Sequence, residues 1–63
     1  MTYDELPAHE ILDDIQHENV PDNALLDAQC WRTICDVQAR YPRDVDPDIW
    51  KELCRRRGQL RNH

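Results

Sequence analysis

The side chains in this sequence that could perform nucleophilic or metal chemistry are three cysteines and three histidines. Cys30 and Cys35 are five residues apart, a step that on a helix turns the two thiols about 140° away from each other. Zinc sites need close ligand pairs such as C-x₂-C or H-x₃-H, and this spacing is missing from His9, His17 and His63. We therefore expect no metal and no cofactor, with the thiols packing as small apolar side chains.

The residue types give no support for an enzyme. The sequence contains no serine, no glycine-rich phosphate loop and no H-E-x-x-H pattern. Asp13 and Asp14 are adjacent, which places them about 100° apart on a helix and poorly for sharing a proton. A chain of 63 residues also leaves little room for a pocket that excludes water. The sequence predicts a protein without catalytic residues.

Length limits the chain to one small domain, which we place at residues 1–63. The third cysteine, Cys54, leaves an odd thiol that fits poorly with a secreted disulfide framework. Met1 is followed by Thr2, Tyr3, Asp4 and Glu5, where a secretory signal would have a basic and then an apolar segment. No apolar run approaches the roughly 20 residues that span a bilayer. We expect a cytosolic protein with reduced thiols that does not enter membranes.

Four prolines divide the sequence into three stretches in which apolar residues recur at helical spacing. We predict a first helix from about residue 7 to 17 and a second from residue 21 or 22 to 41. A third begins after Asp46, a capping residue followed by proline at the first helical position. Gly58 either ends this helix or lies within its last turn. The predicted fold is all-α, a small helical bundle of two long helices and a short N-terminal helix.

The second predicted helix carries two apolar stripes, roughly 130° apart around its axis. One stripe consists of Leu26, Cys30, Ile34, Val37 and Tyr41, and the other of Ala24, Ala28, Trp31 and Cys35. Because only two partner helices are available, we expect Trp31 and its small neighbours to stay uncovered in a monomer, and an exposed apolar strip marks a contact site. This favours a homodimer. The alternative is that the first and third helices cover both stripes within one chain.

Acidic and basic residues are segregated along the chain, whose net charge is −5. Residues 1–29 contain eight acids and no lysine or arginine, whereas residues 51–63 contain five bases and one acid. We expect the acidic first helix to attract the basic third helix, within one chain or between chains. Arg56 and Arg57 are the candidates for specific ion pairs, the alternative being that their stems simply pack along apolar surface. The predicted partner or dimer interface consists of Ala24, Ala28, Trp31, Cys35, Arg56 and Arg57.

A small DNA-binding regulator is the main alternative to a protein that binds proteins. The second and third helices could imitate a helix-turn-helix whose basic third helix contacts DNA through Arg55, Arg56, Arg57 and Arg61. The end of that helix that would meet the bases is Asp46-Pro47-Asp48, which repels phosphates, and DNA-binding domains are usually basic. We therefore expect no nucleic-acid partner. A chain that folds only with its mate is a further alternative.

The chain as a whole resembles a group of small phage proteins. The opening Thr2–Pro7 (TYDELP), the closing Asp46–Arg57 (DPDIWKELCRRR) and the total length are similar to the 63-residue protein of the exo–xis region of lambda-like bacteriophages. The resemblance covers the whole chain and contains no catalytic or ligand motif. It implies a phage early accessory protein, in the bacterial host cytoplasm, that binds a host or phage regulatory protein and influences lytic versus lysogenic development.

Overall fold

The computed structural model describes residues 3–62, and no strand occurs in this part of the chain. Its four α-helices are α1 (Ala8–Gln16), α2 (Asp22–Leu26), α3 (Ala28–Arg40) and α4 (Pro47–Arg61). Two 3₁₀ turns, Tyr3–Glu5 and Pro42–Asp44, precede α1 and connect α3 to α4. The predicted all-α class is confirmed. None of these helices is both long and apolar enough to cross a membrane.

The continuous second helix predicted from residue 21 or 22 to 41 is wrong, because the chain leaves the helix at Asp27. The backbone of Asp27 is extended, with φ −78° and ψ 120°. Its carboxylate accepts hydrogen bonds from the backbone N–H groups of Gln29 at 2.9 Å and Cys30 at 3.0 Å. This is the geometry of a helix N-cap. The result is a five-residue α2 and a thirteen-residue α3 in place of one long helix.

The start of α4 follows the prediction. Asp46 is extended and its carboxylate accepts a hydrogen bond from the backbone N–H of Asp48 at 2.8 Å, while Pro47 occupies the first turn. The backbone N–H of Asp46 donates to the side-chain oxygen of Gln16 at 3.0 Å, which joins the start of α4 to the end of α1. The helix then continues through Gly58 to Arg61, so the glycine lies within it.

The end of α1 is closed by two backbone hydrogen bonds around a residue in the left-handed conformation. Glu18 has φ 57°. Its N–H donates to the carbonyl of Ile15 at 3.1 Å, and the N–H of Asn19 donates to the carbonyl of Asp14 at 2.9 Å. These are the two bonds of a Schellman motif, in which glycine is the usual residue at the left-handed position. A glutamate there bears a steric cost that a glycine would not.

The core lies where α1 and α2 both pack against α3 and α4. The buried apolar residues are Tyr3, Ile11, Ile15, Val20, Ala24, Leu25, Ile34, Val37, Val45 and Leu53. Leu26 and Tyr41, expected in an apolar stripe with Ile34 and Val37, are 49% and 43% exposed. Leu26 leaves the stripe because the break at Asp27 turns α2 relative to α3, and Tyr41 lies just beyond the last turn of α3.

The N-terminal 3₁₀ turn is attached to the helices by polar contacts. Tyr3 is buried and its hydroxyl donates to a carboxylate oxygen of Asp14 at 3.1 Å, and burial together with that carboxylate raises the pKa of Tyr3 to about 12. The carboxylate of Asp4 accepts hydrogen bonds from the amide of Gln29 and the hydroxyl of Thr33, both on α3. The turn therefore spans α1 and α3 and covers one side of the core.

Replacing Gly58 by alanine is expected to raise the free energy of unfolding by about 0.5–1 kcal/mol, because glycine is costly in a helix interior. A methyl group at this position would meet no atom within 4 Å. The measurement is urea denaturation followed by circular dichroism, with Gln59→Ala as a control at an exposed neighbour in the same helix. A destabilised Gly58→Ala variant alongside an unchanged control would contradict a helix that continues past residue 58.

The complementary change, Glu18→Gly, is expected to stabilise the chain by about 1 kcal/mol, because it removes the steric cost of a side chain at φ 57°. Glu18→Ala retains a Cβ atom and serves as the control. The urea midpoint should rise for the glycine variant and stay close to wild type for the alanine variant. Equal midpoints for the two variants would argue against the left-handed conformation.

The cap at Asp27 predicts a dependence of stability on acid pH. Hydrogen bonds from the backbone N–H groups of Cys30 and Gln29 hold the pKa of Asp27 below its ordinary value of 3.8. Because folding lowers the pKa of Asp27, its stabilisation is present when the pH exceeds the pKa of the unfolded state. It is lost as the pH falls through the pKa of the folded state. Asp27→Ala should therefore lower the urea midpoint at about pH 7.

Asp27→Asn separates the charge from the hydrogen bonds, since asparagine is also a good N-cap residue. This variant should stay near wild type at about pH 7 and lose less stability than wild type on acidification below about pH 4. Urea midpoints measured across this pH range provide the comparison. If the urea midpoints of wild type and Asp27→Asn fall equally on acidification, the cap carboxylate contributes nothing to acid sensitivity.

Candidate protein-binding face

Two tryptophans from different helices stack against each other at the surface. Trp31 on α3 and Trp50 on α4 have ring centroids 5.5 Å apart and ring planes 3° apart, the geometry of an offset parallel stack. Both side chains are half-buried. The stack therefore joins α3 to α4 and still leaves part of the aromatic surface open to solvent.

The guanidinium of Arg57 lies against this stack. Its central carbon is 4.8 Å from the centroid of the Trp31 ring, which is the range of a cation–π interaction. The Nε–H of Arg57 donates to the backbone carbonyl of Leu25, at the end of α2, at 3.0 Å. In a continuous helix the Leu25 carbonyl would accept from the N–H of Gln29, but that N–H donates to Asp27. The helix break thus supplies the acceptor that positions Arg57.

Two thiols lie one helical turn beyond the tryptophans, Cys35 after Trp31 and Cys54 after Trp50. Burial raises the pKa of the Cys35 thiol, the nearby Cys54 raises it further, and Arg57 opposes both effects. Cys54 is the most exposed of the three cysteines, and its partial desolvation raises the pKa of the thiol, again opposed by Arg57. A raised pKa keeps a cysteine protonated and weakly nucleophilic at neutral pH. We refer to Trp31, Cys35, Trp50, Cys54 and Arg57 as the tryptophan face.

Three of the six residues predicted for the interface, Trp31, Cys35 and Arg57, come together in the tryptophan face. Ala28 is exposed and lies one turn before Trp31 on the same side of α3. The expectation that Trp31 stays uncovered in a monomer is wrong in part, because Trp50 and Arg57 of the same chain cover it. The sequence pattern does not predict that Trp50 and Arg57 contact Trp31.

Ala24 does not belong to this surface. Its side chain is 6% exposed and lies in the core of the chain itself. The physical reason is again the break at Asp27, which ends the register that would have aligned Ala24 with Ala28. An interface role for Ala24 is therefore replaced by a role in the packing of α2.

Arg56 is engaged within the chain. Its Nη2 donates to a carboxylate oxygen of Asp22 at 2.5 Å and to the backbone carbonyl of Val20 at 2.7 Å, and its Nε donates to the same Asp22 oxygen at 3.2 Å. The ion pair between Arg56 and Asp22 connects the basic α4 to the start of α2. The segregated charges therefore meet within one chain, but α2 and not α1 supplies the acid. We therefore correct the prediction that Arg56 contacts an acid across an interface, because its acidic partner is Asp22 of the same chain.

The basic side chains of α4 that remain exposed are Lys51, Arg55 and Arg61. Arg55 lies 3.7 Å from Glu52 of the same helix, an exposed pair that contributes little stability. Arg61 continues the spacing of Trp50, Cys54 and Arg57, at i, i+4, i+7 and i+11. The predicted interface did not include Trp50 and Cys54; this spacing is the pattern in the sequence that could have indicated them, but it does not show which helix α4 meets.

A shallow hollow beside α3 is lined by Asp4, Ala28, Gln29, Arg32, Thr33 and Asp36. The Asp4 carboxylate in this hollow is already hydrogen-bonded to Gln29 and Thr33. Among residues 3–62 no three His, Cys, Asp or Glu side chains converge as a metal site would require. His63, considered above as a ligand, lies outside the described residues.

No protein-family model matches the chain, no curated protein matches it significantly, and no solved structure does.

Proposed function

We propose that this chain is a non-enzymatic protein-binding module that receives its partner on the tryptophan face. The half-exposed stack of Trp31 and Trp50 carries the proposal, because tryptophan and arginine are the residue types most enriched at binding hot spots. Arg57 is held by both the Leu25 carbonyl and the Trp31 ring. A surface arranged in this way before binding loses little conformational entropy when a partner arrives.

The chemistry of the thiols supports a function without catalysis. A nucleophilic cysteine requires a lowered pKa, from a neighbouring cation such as Lys, Arg or protonated His or from the start of a helix. Here burial raises the pKa of both Cys35 and Cys54. The nearby cation is Arg57, which cannot serve as a general base because arginine stays protonated. The thiols act in this proposal as small apolar surface between the tryptophans and the partner.

The resemblance to the exo–xis region of lambda-like phages supplies the biological setting of the proposal. In that setting the chain is an early accessory protein of the bacterial host cytoplasm. Its partner is a host or phage regulatory protein, and binding influences the choice between lytic and lysogenic development. This part of the proposal rests on Thr2–Pro7, Asp46–Arg57 and the length of the chain alone.

Self-association through the same face stays a prediction. Its original basis was an uncovered Trp31, and that basis is weaker now that Trp50 and Arg57 cover part of the ring. DNA binding through four arginines has also lost support, since Arg56 and Arg57 donate to acceptors of the chain itself. A different protein is therefore the occupant that we propose for the face.

A matched pair of variants tests the proposal. Cys54→Glu places a charge on the tryptophan face, whereas Gln59→Glu places the same charge at an exposed position of α4, about 140° around the helix. In affinity capture from bacterial lysate, proteins retained by wild type should also be retained by Gln59→Glu. Retention by Cys54→Glu should fall about tenfold, which corresponds to roughly 1.4 kcal/mol of binding free energy.

Circular dichroism must first show that both variants keep the helical content of wild type. Capture that is equal for the two variants, or a wild type that retains no protein above a blank resin, would refute the proposal. Sedimentation equilibrium of the same three proteins examines self-association. A wild-type dimer that Cys54→Glu converts to a monomer would assign the face to a second copy of the chain.

A further inference from the structure

The helix that contributes half of the tryptophan face is the basic element of an acidic chain. α4 contains five lysine or arginine residues and two acids, in a protein of net charge −5. Arg56 and Arg57 donate to acceptors within the chain. Lys51, Arg55 and Arg61 point outward and are exposed. The positive charge that remains available to a partner therefore lies on the outer side of α4.

This outward positive charge borders the tryptophan face. Arg61 follows Arg57 by one turn on the same side of α4, and Lys51 precedes Cys54 by three residues, which places it about 60° from Cys54 around the helix. On the α3 side, the exposed charged residues that follow Trp31 and Cys35 in sequence are Arg32 and Asp36, one base and one acid. A partner lying along the face would thus meet aromatic and thiol surface at its centre and excess positive charge along one edge.

We propose that the tryptophan face accepts an acidic amphipathic helix, with its apolar side on Trp31 and Trp50 and its carboxylates along Lys51 and Arg61. The proposal rests on the proposed function and specifies the chemistry of the partner. A helix suits the site because Trp31 and Trp50 meet from two helices, and an amphipathic helix presents its apolar anchors along one side at i, i+3, i+4 and i+7. Residues 3–62 offer no strand edge on which an extended peptide could add.

A second copy of this chain fits the face less well. The acidic amphipathic helix of the chain is α1, which carries Glu10 and Asp13 on its exposed side. Its apolar residues Ile11 and Ile15 are 1% and 0% exposed. A second copy could therefore present carboxylates to α4 but no apolar stripe to the tryptophans unless its own core opened.

A single-stranded nucleic acid is also disfavoured. Sequence-tolerant binding of single strands depends on aromatic ring faces on which bases stack. Here the rings of Trp31 and Trp50 stack on each other. The start of α4 presents Asp46 and Asp48, and the net charge of −5 repels a polyanion.

Selection from a random peptide display library tests the proposal without assuming a partner sequence. The folded wild-type chain is the bait, and Cys54→Glu is the counter-selection bait that removes peptides bound elsewhere. We expect the enriched peptides to combine Asp and Glu with apolar residues at helical spacing. A synthetic peptide of the consensus sequence should become helical on binding and should change the fluorescence of Trp31 and Trp50, the two tryptophans of the chain.

A pair of charge-reversal variants then examines the role of the α4 bases. Lys51→Glu/Arg61→Glu reverses two charges beside the face, and Arg40→Glu/Arg43→Glu reverses two exposed charges near the end of α3. Both double variants change the net charge equally, and each alters one basic residue in the last turn of a helix. The consensus peptide should bind at least about tenfold more weakly to the first variant and within about threefold of wild type to the second.

The outcomes distinguish this inference from the proposed function. If no enriched peptide depends on Cys54, the proposed function fails and this inference fails with it. If peptides depend on Cys54 but are neutral or basic, or bind the two double variants equally, the proposed function stands and the acidic partner is excluded. Binding of a 20-nucleotide oligothymidylate that is lost in Lys51→Glu/Arg61→Glu would assign the basic edge to nucleic acid and overturn the inference. A wild-type dimer that Cys54→Glu dissociates would overturn it in favour of a second copy.

Discussion

The hydrogen bonds from the Gln29 and Cys30 backbone to the Asp27 carboxylate are the interaction on which the rest of this structure depends. They end α2 and begin α3 at a point where the apolar spacing would allow one helix to continue. The Gln29 N–H is thereby withdrawn from the Leu25 carbonyl, its partner in an uninterrupted helix. That carbonyl accepts instead from Arg57, which also lies against Trp31. A local cap thus determines where a residue 30 positions away is placed.

Two adjacent arginines hold the two ends of α2. Arg56 binds Asp22 and the Val20 carbonyl at its start, and Arg57 binds the Leu25 carbonyl at its end. A five-residue helix has little stability of its own, so α2 depends on these contacts and on the burial of Leu25. The same contacts divide the basic residues of α4 into two groups. Arg56 and Arg57 stabilise the fold, and the exposed Lys51, Arg55 and Arg61 remain available to a partner.

The proposed binding face is consistent with this division of charge. Within an acidic chain, aromatic surface and outward positive charge occur together at the α3–α4 seam. Placing the face between two helices also fixes its shape, because Trp31 and Trp50 restrain each other and Arg57 is held at both its Nε and its guanidinium plane. In our proposal, charge along the edge of the face provides specificity and the aromatic centre provides most of the binding energy.

The sequence by itself determined the all-α class, the start of α4 at Asp46 and Pro47, and the side of α3 that Trp31 and Cys35 share, because capping, proline and apolar periodicity are local signals. Tertiary structure decided the break at Asp27, since an N-cap contributes only about 1 kcal/mol, which is too little for the local sequence to choose between a cap and a continued helix. It also decided that Ala24 packs in the core, that Arg56 pairs with Asp22 and that Trp31 meets Trp50. Periodicity shows which residues share a side of one helix. It contains no information on which side of another helix they contact, because that depends on how the elements cross.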